Sequence, residues 1–209
     1  MDRKGILLVV SGFSGAGKGT LMKELVGRYD NYALSISATT RSPREGELDG
    51  REYFFRTKEE FEQMIADDAL IEHACYVGNY YGTPRAYVEE QLALGRDVIL
   101  EIEIQGALQI KKRFPDTLLL FVSTPDAETL KNRLIGRGTE SLDVVEKRLS
   151  RASEEAKGIE NYDYFIINDD LDTCVTQVHQ IIQGEHSRVS RNLELINTIK
   201  KDISKFQKG

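Results

Sequence analysis

The strongest constraint on this chain is the stretch Gly12-Phe13-Ser14-Gly15-Ala16-Gly17-Lys18-Gly19-Thr20. An apolar run, Ile6 to Val10, leads into it. A helical pattern from Thr20 to Arg28, with Leu21 and Leu25 on one face, leads out. Strand, glycine loop, lysine and helix is the context of a nucleotide-phosphate loop. Glycine lets main-chain N–H groups turn inward around an anion, and the helix N-terminus adds partial positive charge. Lys18 is placed to reach the outer phosphates. Gly12, Gly17 and Lys18 fit the spacing GxxxxGK[ST], but Gly19 stands where a magnesium-binding hydroxyl is expected, with Thr20 one place later. A ligand-free glycine turn is the alternative; it leaves a lysine and four glycines behind an apolar run unexplained. A dinucleotide fingerprint fits worse. The spacing is not GxGxxG, and the next strand-like run, Tyr32 to Ser37, does not end in an acid.

Around this loop the chain alternates. Strand-like runs recur at Ile6–Val10, Ala33–Ser37, Asp97–Ile102, Thr117–Val122 and Tyr164–Ile167. Most are continuously apolar, as strands buried on both faces of a parallel sheet are. Helical patterns lie at Arg85–Leu94, Gln105–Arg113, Pro125–Ile135 and Leu142–Lys157. The alternation predicts an α/β fold, a three-layer arrangement with a five-stranded parallel sheet and right-handed crossovers. A length of 209 residues predicts one domain with inserts and a sizeable core. Two stretches break the alternation. Residues 38–83 carry a short Tyr53-Phe54-Phe55 run, a helical Lys58–Asp67 and Ala69–Tyr76, and read as a small inserted lobe. Arg133 to Arg151 contains Gly136-Arg137-Gly138-Thr139, two glycines around an arginine, and reads as a mobile lid. The last stretch, Ser190 to Lys208, is an amphipathic helix with Leu193, Ile196, Ile199, Ile203 and Phe206 on one stripe. It either folds back on the domain or makes a dimer contact.

A net charge of −6 argues against bulk attraction to nucleic acid or an acidic membrane, so any anion site is a local cluster of arginine and lysine. No apolar run approaches the roughly 18 residues of a membrane span. Ile6–Val10 is too short for a signal-peptide core. The two cysteines, Cys75 and Cys174, match no metal spacing and fit a reducing compartment. These features predict a cytoplasmic protein.

Four clusters carry chemistry. Thr39-Thr40-Arg41-Ser42-Pro43-Arg44 sets two guanidiniums three apart beside hydroxyls, with Tyr53 nearby. Alone it is a basic turn; with the glycine loop it is a second phosphate site. Gly78-Asn79-Tyr80-Tyr81-Gly82-Thr83 reads as an aromatic, hydroxyl-rich turn. Glu72 lies six residues before Gly78 in an otherwise apolar stretch, where a carboxylate needs a partner. Glu101-Ile102-Glu103 ends an apolar run, where α/β proteins gather ligands, and residues two apart on a strand share a face. Arg133, Arg137 and Arg148 flank the glycine-containing segment. They are either lid cations that compensate charge in phosphoryl transfer or helix-surface residues paired with Glu140, Asp143 or Glu146.

Together these motifs make the chain resemble the guanylate kinase family over roughly residues 5–184. The stretches that carry the resemblance are 11–20, 37–53, 71–83, 100–106, 133–139 and 167–170. The combination of Thr39-Thr40-Arg41 through Glu47, Gly78 through Thr83 and Gly136-Arg137-Gly138 is specific to it. The resemblance implies transfer of the γ-phosphoryl group of ATP to GMP, with Mg²⁺ as cofactor. ATP and GMP are the small-molecule partners, without nucleic acid or membrane, in a monomer or homodimer. It implies a core of 5–37, 84–132 and 158–184, a GMP-binding lobe of 38–83, a lid of 133–157 and a C-terminal helix within 185–209.

Carried over residue by residue, the family roles run as follows. Gly12 to Thr20 wrap the ATP phosphates, Lys18 meets the transferring group, and Asn168 lies near adenine. Arg41, Arg44, Tyr53 and Tyr81 hold the GMP phosphate, supported by Glu47. Ser37, Glu72, Thr83 and Glu103 read guanine. Arg133, Arg137 and Arg148 clamp the phosphates. Glu101 faces the metal or the attacking phosphate, and Thr20 joins it as a metal-side oxygen, through water. Lys18, Arg41, Arg137 and Arg148 are the expected catalytic set. Many family members have Asp where Glu101 and Glu103 stand. No feature contacts or excludes a 2′-hydroxyl, so dGMP is expected to serve as well. Three other readings stay open: an adenylate-kinase-like enzyme, which shares Gly17-Lys18-Gly19-Thr20; a non-catalytic binding domain of guanylate-kinase type; and a GTP switch, which lacks its NKxD stretch here.

Overall fold

The structure, a computed structural model, describes residues 4–76, 78–136 and 142–206. The chain opens with β1 (Leu7–Gly12), α1 (Lys18–Arg28) and β2 (Tyr32–Leu34). Next come β3 (Ala38–Thr39), β4 (Phe54–Phe55), α2 (Lys58–Ala66), β5 (Leu70–Tyr76) and β6 (Asn79–Pro84). They are followed by α3 (Arg85–Ala93), β7 (Asp97–Glu101), α4 (Ile104–Arg113), β8 (Leu118–Ser123) and α5 (Ala127–Ile135). The last elements are α6 (Leu142–Glu155), β9 (Tyr164–Ile167), α7 (Leu171–His186) and α8 (Leu193–Ser204).

Five strands form the main sheet in the order β2-β7-β1-β8-β9, every neighbouring pair parallel. The apolar runs bury both faces because strand side chains alternate. Leu8 and Val10, with Leu118, Leu120 and Val122, share one core with Leu21 and Leu25 of α1 and Val175 and Val178 of α7. Val9, Val98, Leu100 and Leu119 share the opposite core with Val88 of α3 and Ile110 of α4. β1 sits in the middle. The chain runs from it to β2 on one side and later fills β8 and β9 on the other, so β1 lies where strand order reverses. Crevices at the carboxyl ends of such strands are ligand sites, and the glycine loop emerges at this point. Only glycine ends β1 this close to its neighbour, since a Cβ on Gly12 would lie 2.0 Å from the Val122 carbonyl oxygen.

A second, four-stranded sheet follows the order β4-β3-β6-β5. β3 pairs with β4 in parallel and with β6 antiparallel, as β6 does with β5. α2 covers it, with Phe61 fully buried beside Ala38 and Leu70. A capping box starts α2: the Glu60 N–H donates to Thr57 Oγ1 (3.1 Å), and the Thr57 N–H donates to Glu60 Oε2 (2.8 Å). The stretch read as an aromatic turn, Gly78 to Thr83, is mostly strand β6. Strand alternation then sends neighbouring tyrosines to opposite faces. Tyr80 stacks on Phe61 at 5.3 Å, while Tyr81 meets Tyr53 edge-on at 6.1 Å.

The second strand ends at Leu34, short of the expected Ser37, and α7 was not anticipated. α8 forms where the amphipathic stripe predicts a helix, but none of its residues is buried, so its apolar face is not folded back into the domain. Among the described residues no helix is long and apolar enough to cross a membrane.

Candidate active site

The phosphate loop is built from the end of β1 and the start of α1. Gly17, at φ 87°, is the N-cap of α1, and no side chain caps the helix. The first main-chain bond into the helix is Leu21 N–H to the Gly17 carbonyl (3.0 Å). The preceding amides of the first turn therefore have no intrahelical acceptor and face the loop, the arrangement that binds anions. Lys18 Nζ donates to the carbonyls of Gly12 (2.6 Å) and Phe13 (3.2 Å), which holds the ammonium over the loop. Phe13 packs between the main core and the α5–α6 cluster of Leu130, Leu134, Val145 and Ala152.

Asn168 buttresses this loop from below. It is buried, and its amide donates to the Ala16 carbonyl at 2.9 Å. Its Nδ2 lies 2.6 Å from where a Cβ on Gly17 would stand, so the loop and Asn168 fit only with glycine there. The Arg133 guanidinium closes on the same point, 4.0 Å from that position. Replacing Asn168 with Ala leaves a buried carbonyl without its donor. Thermal denaturation should show a loss of about 1–3 kcal/mol, and ATP titration calorimetry a weaker affinity. Unchanged values in both would remove the buttress role.

Gly19 and Thr20 are exposed on the first turn of α1. A Cβ on Gly19 would meet nothing within 4 Å, so crowding does not impose the missing hydroxyl. Glu101, at the end of β7, opens to the same cleft. Crowding by protein pushes its carboxyl above the usual range, and the nearby Lys18 charge pulls it back. Among the described residues no group of three or more His, Cys, Asp and Glu gathers as a metal cage.

The second anion site lies on the small sheet. Arg41 Nη2 donates to both oxygens of Glu47 (3.0 and 2.9 Å), and its Nη1 donates to the Ser42 carbonyl (2.7 Å). The guanidinium rests 5.3 Å from the Tyr53 ring centroid and 5.8 Å from that of Phe55. The Arg44 N–H donates to Glu47 Oε2 at 2.7 Å, while its side chain stays exposed. This N–H first, and Arg41 after it, hold the Glu47 carboxyl below the usual range. One carboxylate thus holds the Arg41 guanidinium and the Arg44 main chain, and Tyr53 and Tyr81 flank Arg41.

The buried acid is Glu72. Only 8% of it is exposed, and the Thr83 hydroxyl donates to its Oε1 at 2.8 Å. A Cβ on Gly106 of α4 would stand 3.2 Å from Glu72 Oε2, so glycine there makes room for the carboxylate. Burial pushes the carboxyl up to about 7, against the pull of its bonds from Thr83. A second pair of donors on a ligand would complete the site. Ser37 is half-buried at the edge of the small sheet, its carbonyl accepting from the Phe54 N–H at 2.9 Å.

From the other side, α6 reaches the cleft. Arg148 Nη1 donates to Ser14 Oγ of the loop at 2.8 Å. Among the described residues no hydrogen bond joins Glu103 to Glu72; its Oε2 accepts from Arg151 of α6 at 3.1 Å. Arg137 lies outside the described residues. Sequence reasoning missed Gly106, Arg151 and Glu155. Gly106 carries no local signal. Arg151 and Glu155 had one, since they follow Arg148 at three and seven residues, along one helix face.

Known proteins resemble this chain over most of its length. A family model described as guanylate kinase matches residues 4–185. The chain is 53% identical over 194 residues to a guanylate kinase of Clostridioides difficile, covering 93% of this chain and 95% of that one. It is 48% identical over 194 residues to a guanylate kinase of Lactococcus lactis, again covering 93% and 95%. A crystal structure of guanylate kinase from Anaplasma phagocytophilum superposes with a TM-score of 0.73 at 29% identity, over 90% of each chain.

Proposed function

The chain belongs to the guanylate kinase family, and from that premise we propose that it transfers the γ-phosphoryl group of ATP to GMP, giving ADP and GDP. The observation that carries this reading is the pairing of two anion sites with one buried acid. The α1 loop with Lys18 suits the donor phosphates. The Arg41–Glu47 cradle suits the acceptor phosphate. Glu72, beside Thr83, awaits two adjacent N–H donors, which guanine offers and adenine does not.

In this reading GMP lies on the small sheet. Tyr53, Tyr81, Arg41 and Arg44 hold its phosphate, and Ser37, Glu72, Thr83 and Glu103 hold its base. ATP lies along Gly12 to Thr20 with Arg133, Arg137 and Asn168 beside it. Arg148, which reaches Ser14 of the loop, clamps the phosphates, a role also assigned to Arg137. The GMP phosphate oxygen attacks the γ-phosphorus in line, the γ-phosphorus–oxygen bond to ADP breaks, and the bond pair leaves on the ADP oxygen. The attacking group is already an anion, so no general base is needed. The chain contributes positioning and charge compensation. Residues 38–83 form the GMP lobe and 133–157 the lid, and closure of both excludes water. dGMP is accepted as well.

The donor set around the cleft fits Mg²⁺. Thr20 and Glu101 offer hard oxygens, and with no carboxylate cage among the described residues the ion would keep water and phosphate ligands. Held there with ATP, the ion would supply positive charge against the phosphates. The cytoplasm is the proposed location, consistent with the free thiols of Cys75 and Cys174.

A coupled ADP-release assay across GMP, dGMP, AMP, CMP and UMP tests the reading. GMP and dGMP should be turned over and AMP hardly at all. Turnover of AMP at the GMP rate would instead favour an adenylate-kinase-like enzyme, and no turnover at all a binding domain.

A further inference from the structure

Glu103 occupies the N-cap of α4, directly after β7, yet its side chain does not cap that helix. A carboxylate at an N-cap ordinarily accepts from the first-turn amides. Here it accepts from α6 instead, where Arg151 Nη2 donates to Glu103 Oε2 at 3.1 Å. Arg151 Nε donates at the same distance to Glu155, four residues on along α6. The Glu155 side chain is 15% exposed, and its carboxyl lies beside that of Glu103. One guanidinium thus bridges two acids, one on the core and one on its own helix. Three residues earlier on the same face, Arg148 reaches Ser14 of the phosphate loop. α6 therefore makes two contacts one turn apart, with the phosphate loop at Ser14 and with Glu103 after β7.

We propose that Arg151 is a positioning residue: it aims Glu103 at the base site and, through one turn of α6, links the hold on guanine to the placement of Arg148 on the phosphate loop. This rests on the reading above in which Glu103 contacts guanine. The bond from Arg151 takes Glu103 Oε2, so Oε1 is the oxygen that meets the exocyclic amino group of the base, while Glu155 holds the guanidinium from its own helix.

The test is a double-mutant cycle on the full chain, with KM for GMP, KM for ATP and kcat measured in each variant. Arg151→Ala should raise KM for GMP roughly fivefold, the size expected of a half-exposed ion pair, and lower kcat. KM for ATP should stay within twofold. Arg151→Lys should recover part of the loss. In a Glu103→Gln background the Arg151→Ala step on KM for GMP should shrink to less than twofold. A step of equal size in both backgrounds, or no step in either, overturns the proposal. If Glu103→Gln alone leaves KM for GMP unchanged, Glu103 does not read the base and the proposal falls with that assignment. The phosphoryl-transfer reading then still stands or falls on Lys18. Thermal melting of each variant separates these outcomes from simple unfolding.

Discussion

Replacing Lys18 with Met is expected to lower turnover by roughly 10²–10³-fold, with affinity for GMP nearly unchanged. A preorganised cation at the transferring group stabilises charge that spreads over the phosphoryl oxygens in the transition state, and losing one such donor costs about 2.7–4 kcal/mol of barrier. Lys18 is held over the loop by the Gly12 and Phe13 carbonyls, so its position is set before substrate arrives. The GMP-side cradle is built from other elements: Arg41 and Glu47 follow β3 on the small sheet. Removing Lys18 should leave that cradle intact. Single-turnover kinetics and GMP calorimetry on the same variant separate the two effects. Wild-type turnover in the Met variant would sink the assignment of the loop.

The second large effect is expected at Glu72. Glu72→Gln should cut kcat/KM for GMP roughly 10²-fold and narrow the preference over AMP. Gln presents one acceptor and one donor where guanine needs two acceptors. Equal rates with GMP and AMP in the unaltered protein would refute the base-reading role. The same residue predicts a pH dependence. Its carboxyl, pushed up to about 7 by burial, is protonated below that pH and then offers a donor in place of an acceptor. kcat/KM for GMP should therefore fall as pH drops through about 7. The GMP phosphate itself loses charge near pH 6, and the Gln variant, which keeps that titration but lacks the carboxyl, separates the two.

Stability should move the opposite way. The folded-state pKa of Glu72 lies above its unfolded value, so the folded chain binds the extra proton between about pH 4.5 and 7. Wild-type stability from this group is then lost as pH rises across that window. The Gln variant does not titrate, so its stability relative to wild type should grow from pH 5 to pH 8, by up to about 3 kcal/mol. Melting curves at the two pH values check the sign.

Much of this was legible in the residues because the signals are local. An apolar run, glycines at fixed offsets and a lysine specify β1, the loop and α1 with no reference to the rest of the chain. The five sheet strands were readable because burial on both faces demands continuous apolar runs. Thr57 and Glu60 mark the start of α2 in the same local way. Where the signal was mixed, the reading failed. α7 begins at Leu171 with a stretch rich in Val, Thr and Ile, residues of low helix propensity. It is a helix because Cys174, Val175, Val178 and Ile182 fall on one face and bury against the sheet. Tyr80 and Tyr81 looked like turn residues; pairing with β5 made them a strand.

By itself the sequence determined the five strands of the main sheet, the phosphate loop with the helix after it, and the identities of the acids and arginines. Each of those depends on neighbours within a few positions. Only the tertiary structure decided which of them meet. Glu72 and Thr83 stand eleven residues apart, and antiparallel pairing brings their polar atoms to 2.8 Å while Gly106 of a distant helix leaves the space. Asn168 and Ala16 are separated by 152 residues, Arg148 and Ser14 by 134, Arg151 and Glu103 by 48. Contacts at such separations follow from packing the layers on the sheet, and no short window of residues encodes them.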